Sequence, residues 1–178
     1  MITGHVFIAT SLDGFIARSD GDIAWLLERD NPDEDHGYEV FISDIDIILM
    51  GRGTFEKMRD VRPWPYSRPV VVLSSTLMQS DVPGDLVKKV RLANKAPEEA
   101  MRMLESEGHR KVYVDGGLLI QSFLRAGLIA DMVITNVPVL LGEGRRLFGK
   151  VDADISLCHE ETKSFPSGLV QSRYRVEA

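Results

Sequence analysis

Two pairs of glycines stand at the ends of predicted strands, and each pair could bind a phosphate group. Gly116 and Gly117 follow residues 112–114, a short β-branched segment that predicts a buried strand. The helix predicted after them, which Gly127 would end, offers free backbone N–H groups and the positive end of its dipole. No side chain at the glycines would block the approach of a diphosphate. The same pair could instead be a tight turn that needs only glycine's positive φ.

A second glycine pair occupies the turn Gly51-Arg52-Gly53-Thr54, between a predicted strand and a predicted helix. Thr54 can cap this helix or bind a phosphate oxygen, and Arg52 adds a positive charge. Neither turn is a P-loop or a complete Rossmann fingerprint. Two such turns in one domain favour a ligand with more than one phosphate.

The third predicted strand ends in two hydroxyls, Ser74 and Ser75. If the strands run parallel, Gly51, Ser74 and Gly116 all lie at carboxyl ends along one edge of the sheet. Open α/β sheets bind their ligands at that edge. Capping or turn formation is the alternative role of the two serines.

Two further segments could contact a ligand. Residues 11–25 contain several Asp and Gly breakers and predict a loop over the site. Trp25 would hold this loop down, either as plain packing or as a wall for the ligand. Residues 142–148 predict a flexible, basic loop, in which Arg145 and Arg146 either hold an anionic substrate or are solvated.

The hydrophobic pattern predicts an α/β domain that would position these turns. Asn31 and Pro32 would open a helix whose first turn holds three acids. Pro138 would mark an edge or a bulge within its strand. The final two strands would form an antiparallel hairpin on a mainly parallel sheet. The predicted strands are residues 5–10, 45–50, 68–75, 90–93, 112–114, 131–141, 155–163 and 170–176; the predicted helices begin at residues 31, 55, 97 and 118; the buried stripe of the first helix is Tyr38, Phe41, Ile42 and Ile45.

Composition excludes several classes of function. The chain of 178 residues carries a net charge of -6 and has no cluster of basic residues, which argues against nucleic acid and anionic membranes as partners. No apolar run approaches the ~20 residues of a membrane helix. Cys158 is the single cysteine and the four histidines lack ligand spacing, so we predict no disulfide and no metal. A reducing cytoplasm is the expected location.

The motifs, in this order, resemble the dihydrofolate reductase fold, and more narrowly the reductase domain of the riboflavin pathway and its stand-alone relatives. Residues 11–17 resemble the first-strand signature of the riboflavin-type reductases. Residues 49–56 resemble the segment that carries cofactor phosphates, residues 72–75 the stretch beside the adenosine 2′-phosphate, and residues 114–117 the pyrophosphate turn. Residues 138–144 and 147–148 resemble the stand-alone relatives.

The resemblance implies one three-layer α/β domain over residues 1–178, with a mostly parallel sheet, a C-terminal hairpin and helices on both faces. It also implies a homodimer, NADPH as cofactor, and hydride transfer to a small heterocycle or sugar carbonyl. The residues expected at the cofactor are Asp13, Gly14, Ile16, Gly51, Arg52, Gly53, Thr54, Ser74, Ser75, Asp115, Gly116, Gly117, Leu118 and Leu119. The residues expected at the substrate are Trp25, Arg145 and Arg146.

A proton must follow the hydride, and Asp35, Asp60 or water could donate it. Asp35, counted back from Gly51, falls near the carboxylate that dihydrofolate reductases place before this strand. Asp60 stands where the riboflavin reductases usually place paired acids. The Pro-Cys-x-x-Cys motif of a zinc deaminase does not occur in the sequence.

Three hypotheses for function follow. Residues 11–17 and 115–117 favour a riboflavin-type reductase, resembling 5-amino-6-(5-phosphoribosylamino)uracil reductase, over a pterin reductase. A non-catalytic, dimeric NADPH-binding module is the second hypothesis. The third is a scaffold whose glycine turns bind nothing.

Overall fold

The apolar runs of the sequence form the strands of one large sheet in the computed structural model, which describes residues 1–29 and 31–177. The strands are β1 (Thr3–Ser11), β2 (Phe15–Ala17), β3 (Ile47–Gly51), β4 (Val70–Leu73), β5 (Val90–Ala93), β6 (Lys111–Asp115), β7 (Ile129–Val137), β8 (Arg145–Arg146), β9 (Leu157–Ser164) and β10 (Val170–Val176). The helices are α1 (Ala24–Leu27), α2 (Tyr38–Ser43), α3 (Arg52–Met58), α4 (Pro97–Ser106) and α5 (Gly117–Arg125).

Eight of the strands pair in the order β5-β4-β3-β6-β1-β7-β10-β9. The first six of these run parallel to one another. β10 then pairs antiparallel with β7 and with β9, which is the C-terminal hairpin predicted from the sequence. The turn of this hairpin closes with a hydrogen bond from Phe165 N to Leu169 O at 2.9 Å.

Both faces of the parallel strands are covered by helices, which is why these strands are almost continuously apolar. Leu49 of β3 faces a core that includes α4 and α5. Its neighbour Ile48 faces the opposite core, which includes Ile42 of α2 and Phe55 of α3. The three-layer α/β fold and the mixed sheet predicted from the sequence are therefore confirmed.

The first predicted helix begins later than expected. The structure has no helix at Asn31; instead, the side chains of Asn31 and Asp35 accept the backbone N–H groups of Asp33 and Gly37 at 3.1 and 2.7 Å. Such local side-chain hydrogen bonds compete with helix formation. α2 therefore begins at Tyr38, and the prediction that the acids fill a first helical turn was wrong. Burial of Ile42 and Ile45 confirms the predicted core side of this segment.

Glu34 instead ties its segment to the turn between β9 and β10. Its carboxylate accepts the backbone N–H of Ser167 at 2.7 Å and the Ser167 hydroxyl at 2.5 Å. The Asn31 side chain donates to the same carboxylate at 3.2 Å. These hydrogen bonds, above all that from the Ser167 hydroxyl, hold the pKa of Glu34 below its ordinary value of 4.5.

We expect Glu34→Gln to lower the Tm by a few degrees at pH 7, because the amide cannot replace a charged acceptor of several hydrogen bonds. Glu34 has a lowered pKa in the folded state, so its stabilisation is present above pH 4.5 and is lost as the pH falls through the folded pKa. The difference from the wild type should therefore shrink in acid. Thermal unfolding from pH 7 down to pH 3 measures this, with the exposed Glu143→Gln as control. Equal Tm values for the two variants at pH 7 would contradict the assignment.

Two expectations for the region after β7 were also wrong. β7 ends at Val137 and lies between β1 and β10, so Pro138 follows an interior strand and is not an edge or bulge within it. Residues 142–148 are not simply a flexible loop. They contain β8, which pairs antiparallel with β2 in a separate two-stranded sheet. A strand of two residues is too short to show a periodic pattern, so neither β8 nor its pairing with β2 could be predicted from the sequence.

Among the described residues, the helices are all too short or too polar to cross a bilayer. The same residues contain no cluster of three or more His, Cys, Asp and Glu side chains placed to hold a metal ion.

Candidate active site

The two glycine turns lie side by side, because the strands that lead into them are neighbours. β3 and β6 run parallel, with Met50 opposite Asp115. A Cβ added to Gly116 would lie 2.5 Å from Thr54 Oγ1 and 3.9 Å from the backbone nitrogen of Gly51. Only glycine fits, since Gly116 also has a φ of +103°. Residues 51–54 and 116–117 thus form one continuous cradle at the carboxyl edge of the sheet, as the parallel arrangement predicted.

The second half of the cradle is the start of α5, whose first N–H groups have no acceptor within the helix. Gly117 is buried, and a Cβ on it would lie 2.8 Å from Ile16 Cδ1 and 2.9 Å from Arg146 O. Leu118 points outward with 82% exposure, and Leu119 is half-buried. The small β2–β8 sheet therefore packs directly on this turn, with Ile16 against its backbone.

The end of β4 brings three hydroxyls and an arginine together beside the cradle. Ser74 Oγ accepts the backbone N–H groups of Thr76 and Leu77, both at 3.1 Å, so the turn-forming role of this serine is real. Arg52 Nη1 donates to Thr76 Oγ1 at 3.1 Å. Ser75 is exposed next to them. Ser74 Oγ also lies 3.4 Å from Thr76 Oγ1, and Arg52 Nε lies 3.8 Å from Glu56 Oε1. These hydroxyls and the exposed guanidinium group are the types of donor that bind an anion.

Asp13 fixes the loop after β7 to the turn after β1. Its carboxylate accepts the N–H groups of Leu141 at 3.1 Å and Gly142 at 2.8 Å, and the Ser11 hydroxyl at 2.6 Å. The hydrogen bond from Ser11, followed by those from the two amides, lowers the pKa of Asp13 to about 2. Gly14 closes the turn with a hydrogen bond from its N–H to Ser11 O at 3.0 Å. The Asp13 carboxylate is thus occupied by hydrogen bonds from groups of the protein itself.

The two arginines of β8 have different surroundings. The guanidinium carbon of Arg146 lies 4.6 Å from the centre of the Phe15 ring, and its carbonyl accepts Gln121 Nε2 at 3.1 Å. Arg145 instead reaches towards the cradle, where its Nη1 lies 3.8 Å from the position of a Cβ on Gly53. Arg145 is therefore the member of the pair that faces the predicted phosphate site.

Trp25 is 5% exposed and packs with Val137 and Leu169 in a small core cluster. The structure thus supports the packing role for this residue over a role as an open ligand wall. Its ring holds the segment after β2 against the carboxyl end of β7.

The two acids considered as proton donors lie away from the cradle. Asp60 is 82% exposed, lies 3.8 Å from Arg59, and follows the end of α3 that is remote from the glycine turn. Asp35 is exposed, and its carboxylate accepts the N–H of Gly37 at 2.7 Å. It lines a groove of about 680 Å³ together with residues of β1, β7 and β10 such as His5, and none of the glycine-turn residues lines this groove.

A third carboxyl group, that of Asp115, lies at the centre of the edge. It is half-buried at the carboxyl end of β6, and Tyr66 donates its hydroxyl to Asp115 Oδ2 at 3.0 Å. Burial raises the pKa of Asp115 to about 6, against the hydrogen bonds from Tyr66 and the Gly116 amide. Burial, with the nearby charge of Asp115, also raises the pKa of Tyr38 to about 12. This edge therefore holds a carboxyl group that exchanges a proton near neutral pH.

Sequence reasoning placed Asp115 in the phosphate turn and overlooked its carboxyl group as an acid. It also missed Tyr66 and Thr76, which hold Asp115 and Arg52. Thr76 directly follows the two serines, so a run of three hydroxyls was visible in the sequence. Tyr66 carried no such signal, because its contact with Asp115 joins residues 49 positions apart.

The arrangement can hold a diphosphate on backbone amides, an additional phosphate beside Arg52, and a reacting group next to Asp115. These functions come from the ends of three strands, β4, β3 and β6, and the β3 and β6 ends share the diphosphate cradle. Their order along the edge follows the strand order β4, β3, β6 and β1. An extended ligand with its phosphates in the middle would fit this order.

Comparison with known proteins identifies chains that are similar to this one. The family model of the RibD C-terminal domain matches residues 3–171. YwjB of Bacillus subtilis, whose function is uncharacterised, is 31% identical over 164 residues, which cover 90% of each chain. A solved structure from Shewanella sp. PV-4, provisionally assigned to riboflavin biosynthesis, is 37% identical, with a TM-score of 0.92 and coverage of 99% of this chain and 100% of that one.

A more distant solved structure shares the fold alone. Dihydrofolate reductase of Enterococcus faecalis, solved in complex with NADP(H), is 18% identical with a TM-score of 0.64. The match covers 99% of this chain and 97% of the reductase. The resemblance to the dihydrofolate reductase fold and to the riboflavin-type reductases is thereby confirmed.

Proposed function

The chain belongs to the RibD C-terminal domain family, a family of riboflavin-pathway reductases, and we propose that it is an NADPH-dependent reductase of a small heterocyclic or sugar-carbonyl substrate. The observation that carries this proposal is the contact of the two glycine turns. The position of a Cβ on Gly116 is filled by Thr54, so the two turns offer amides to one diphosphate and not to two separate anions. When bound, NADPH supplies the hydride of the reaction.

The residues present fit this cofactor. Gly51, Gly53 and Gly116 leave the backbone of the cradle open for a diphosphate. Arg52 and Ser74, with Ser75 and Thr76 beside them, would hold the adenosine 2′-phosphate, because a guanidinium and hydroxyls suit a phosphate dianion. This set favours NADPH over NADH. Ile16 and the Asp13–Gly14 turn would border the nicotinamide.

Asp115 is our proposed proton donor, in place of the two more distant acids. Its carboxyl group is next to the cradle, and a pKa of about 6 leaves a usable fraction protonated near neutrality. Tyr66 orients the group through its 3.0 Å hydrogen bond. An acceptor bound beside Asp115 would take its proton from this carboxyl group, and orientation of the two groups would supply much of the rate.

Within this class we favour a substrate like that of 5-amino-6-(5-phosphoribosylamino)uracil reductase over a pterin. Family membership supports a riboflavin-type substrate. By the resemblance of residues 114–117, Asp115 stands directly before the glycines, where that branch usually has Glu. Arg145 and Arg146 add positive charge near a phosphorylated acceptor. A homodimer and a cytoplasmic location, which the resemblance implies, are likewise proposals.

Titration with NADPH and NADH, followed by NADPH oxidation with three acceptors, tests the function. The acceptors are 5-amino-6-(5-phosphoribosylamino)uracil, dihydrofolate and a small quinone. We expect NADPH to bind at least about 10-fold more tightly than NADH, a difference of about 1.4 kcal/mol, and turnover with the first acceptor. Binding without turnover would favour the non-catalytic module. A failure of saturating NADPH to raise the Tm, when a ligand at 100 times its Kd adds about 2.7 kcal/mol, would refute cofactor binding altogether.

A further inference from the structure

Two cations converge on a single point beside the cradle. The position that a Cβ on Gly21 would take lies 3.1 Å from Lys57 Nζ and 3.3 Å from Arg145 Cζ. Gly21 has a φ of +85°, and its lack of a Cβ leaves room for both side chains, since a Cβ there would lie 2.6 Å from Lys57 Cε. Lys57 belongs to α3 and Arg145 to β8, so two separate elements bring their charges to this point.

Other cations at this end of the molecule have partners. Arg52 lies 3.8 Å from Glu56, and Arg18 lies 3.6 Å from Asp22. Neither Lys57 nor Arg145 forms an ion pair with any carboxylate in residues 1–29 and 31–177. Two like charges held close together repel each other, and an anion bound between them would add two attractive interactions that offset this repulsion.

The carboxylates that flank Gly21 are directed into their own turn. Asp20 Oδ1 accepts the N–H of Asp22 at 2.9 Å. Asp22 accepts the N–H of Ala24 at 3.3 Å and lies beside Arg18. They are therefore already occupied by backbone donors and by an arginine.

The converging pair faces the cradle and not the Ser74 side of α3. Gly53 and Lys57 are four residues apart and so lie on one face of α3. Arg145 Nη1 lies 3.8 Å from the Cβ position of Gly53, whereas Arg52 reaches to Thr76 on another side of the helix. The pair is thus separate from the proposed site of the 2′-phosphate.

We propose that Lys57 and Arg145 form a two-point clamp for a phosphate group bound beside Gly53. The clamp rests on the proposed function for the source of that phosphate, which is either the diphosphate of the dinucleotide or the phosphate of the acceptor. A guanidinium and an ammonium from opposite walls can each donate to different oxygens of one phosphate. The clamp also ties the loop of residues 18–22 and β8 to α3 when the phosphate is present.

The test compares Lys57→Gln, Arg145→Gln and their double variant with Arg102→Gln, which removes an exposed cation on α4. The probes are inorganic pyrophosphate and NADPH, titrated by calorimetry, and 5-amino-6-(5-phosphoribosylamino)uracil with and without its phosphate in steady-state assays. Each single variant should weaken the binding of the phosphate ligand that the clamp holds by about 10-fold, and the double variant should weaken it further. Arg102→Gln should leave every constant unchanged.

The ligands whose binding the variants weaken identify the molecule that carries the phosphate. Weaker binding of NADPH and pyrophosphate assigns the clamp to the dinucleotide diphosphate. An unchanged NADPH Kd with a raised KM for the phosphorylated acceptor alone assigns it to the substrate. A protein that binds pyrophosphate through these residues yet never oxidises NADPH would keep the clamp and refute the reductase. Variants that match Arg102→Gln with every probe would refute the clamp.

Discussion

Replacing Asp115 with Asn is expected to lower kcat by about 10²–10⁴-fold, the usual contribution of a general acid. The wild type should lose activity as the pH rises through about 6, because only the protonated carboxyl group can donate. Far above this pH, the rate should fall about tenfold per pH unit. Asp115→Asn should remove this dependence while leaving the Kd for NADPH nearly unchanged. A pH profile of NADPH oxidation, with the acceptor that gives turnover, measures both effects.

Matched variants separate Asp115 from the acids first considered from the sequence. Asp35→Asn and Asp60→Asn test those alternatives, and the exposed Asp152→Asn serves as the neutral control. A large loss of kcat in Asp35→Asn or Asp60→Asn, with an active Asp115→Asn, would overturn our assignment and restore the sequence-based one.

Protein stability gives a second readout for Asp115 that needs no substrate. Its folded pKa is raised from 3.8 to about 6, so its favourable contribution is complete below pH 3.8 and is lost as the pH rises through 6. Asp115→Asn removes this penalty. Relative to the wild type, the variant should therefore gain about 1–3 kcal/mol in free energy of unfolding between pH 4 and pH 8, discounted for partial exposure.

Gly116→Ala is expected to raise the Kd for NADPH by at least about 100-fold, or 2.7 kcal/mol. The new Cβ would lie 2.5 Å from Thr54 Oγ1, and a backbone φ of +103° is strained for alanine. The two turns must therefore separate or rotate, and the amides would no longer point at one diphosphate. The strain should also cost about 1–3 kcal/mol of stability. Calorimetric titration and chemical denaturation measure the two losses.

Gly84→Ala is a matched control, because no atom lies within 4 Å of its Cβ position. The double variant Gly116→Ala with Thr54→Ala removes the hydroxyl that the new Cβ would meet but keeps the backbone strain. Partial recovery of stability in the double variant would show that the contact between the turns matters. Unaltered NADPH binding in Gly116→Ala would exclude the cradle as the diphosphate site.

The carboxyl edge could be predicted from sequence because its determinants are local. Gly116 and Gly117 follow a β-branched run directly, and Gly51 and Gly53 do the same after another strand. Parallel strands place such turns on one edge, so the cradle needed no knowledge of distant contacts. The apolar strands and the C-terminal hairpin could likewise be predicted, because the short-range periodicity of the sequence indicates them.

The proposed proton donor could not be predicted, because its raised pKa depends on long-range packing. Asp115 becomes an acid of nearly neutral pKa only when the aromatic residues, including Tyr66, bury it. Nothing in residues 110–120 shows that burial. The start of α2 was mispredicted partly for a related reason. Besides the local hydrogen bonds of the Asn31 and Asp35 side chains, Glu34 in this segment is held by Ser167, which lies 133 residues away in the chain. Favourable helix-start composition could not compete with those bonds.

The hydrogen-bonded carboxylate of Asp13 has one consequence for the behaviour of this protein at low pH. Its carboxylate keeps its charge down to pH of about 2, while Asp115 gains its proton near pH 6. Acidification from neutrality should therefore convert the working group to its donating form long before the brace between β1 and the segment after β7 releases. The two carboxyl groups titrate about four pH units apart, so we expect pH to change the proposed reductase activity without breaking the hydrogen bonds of Asp13.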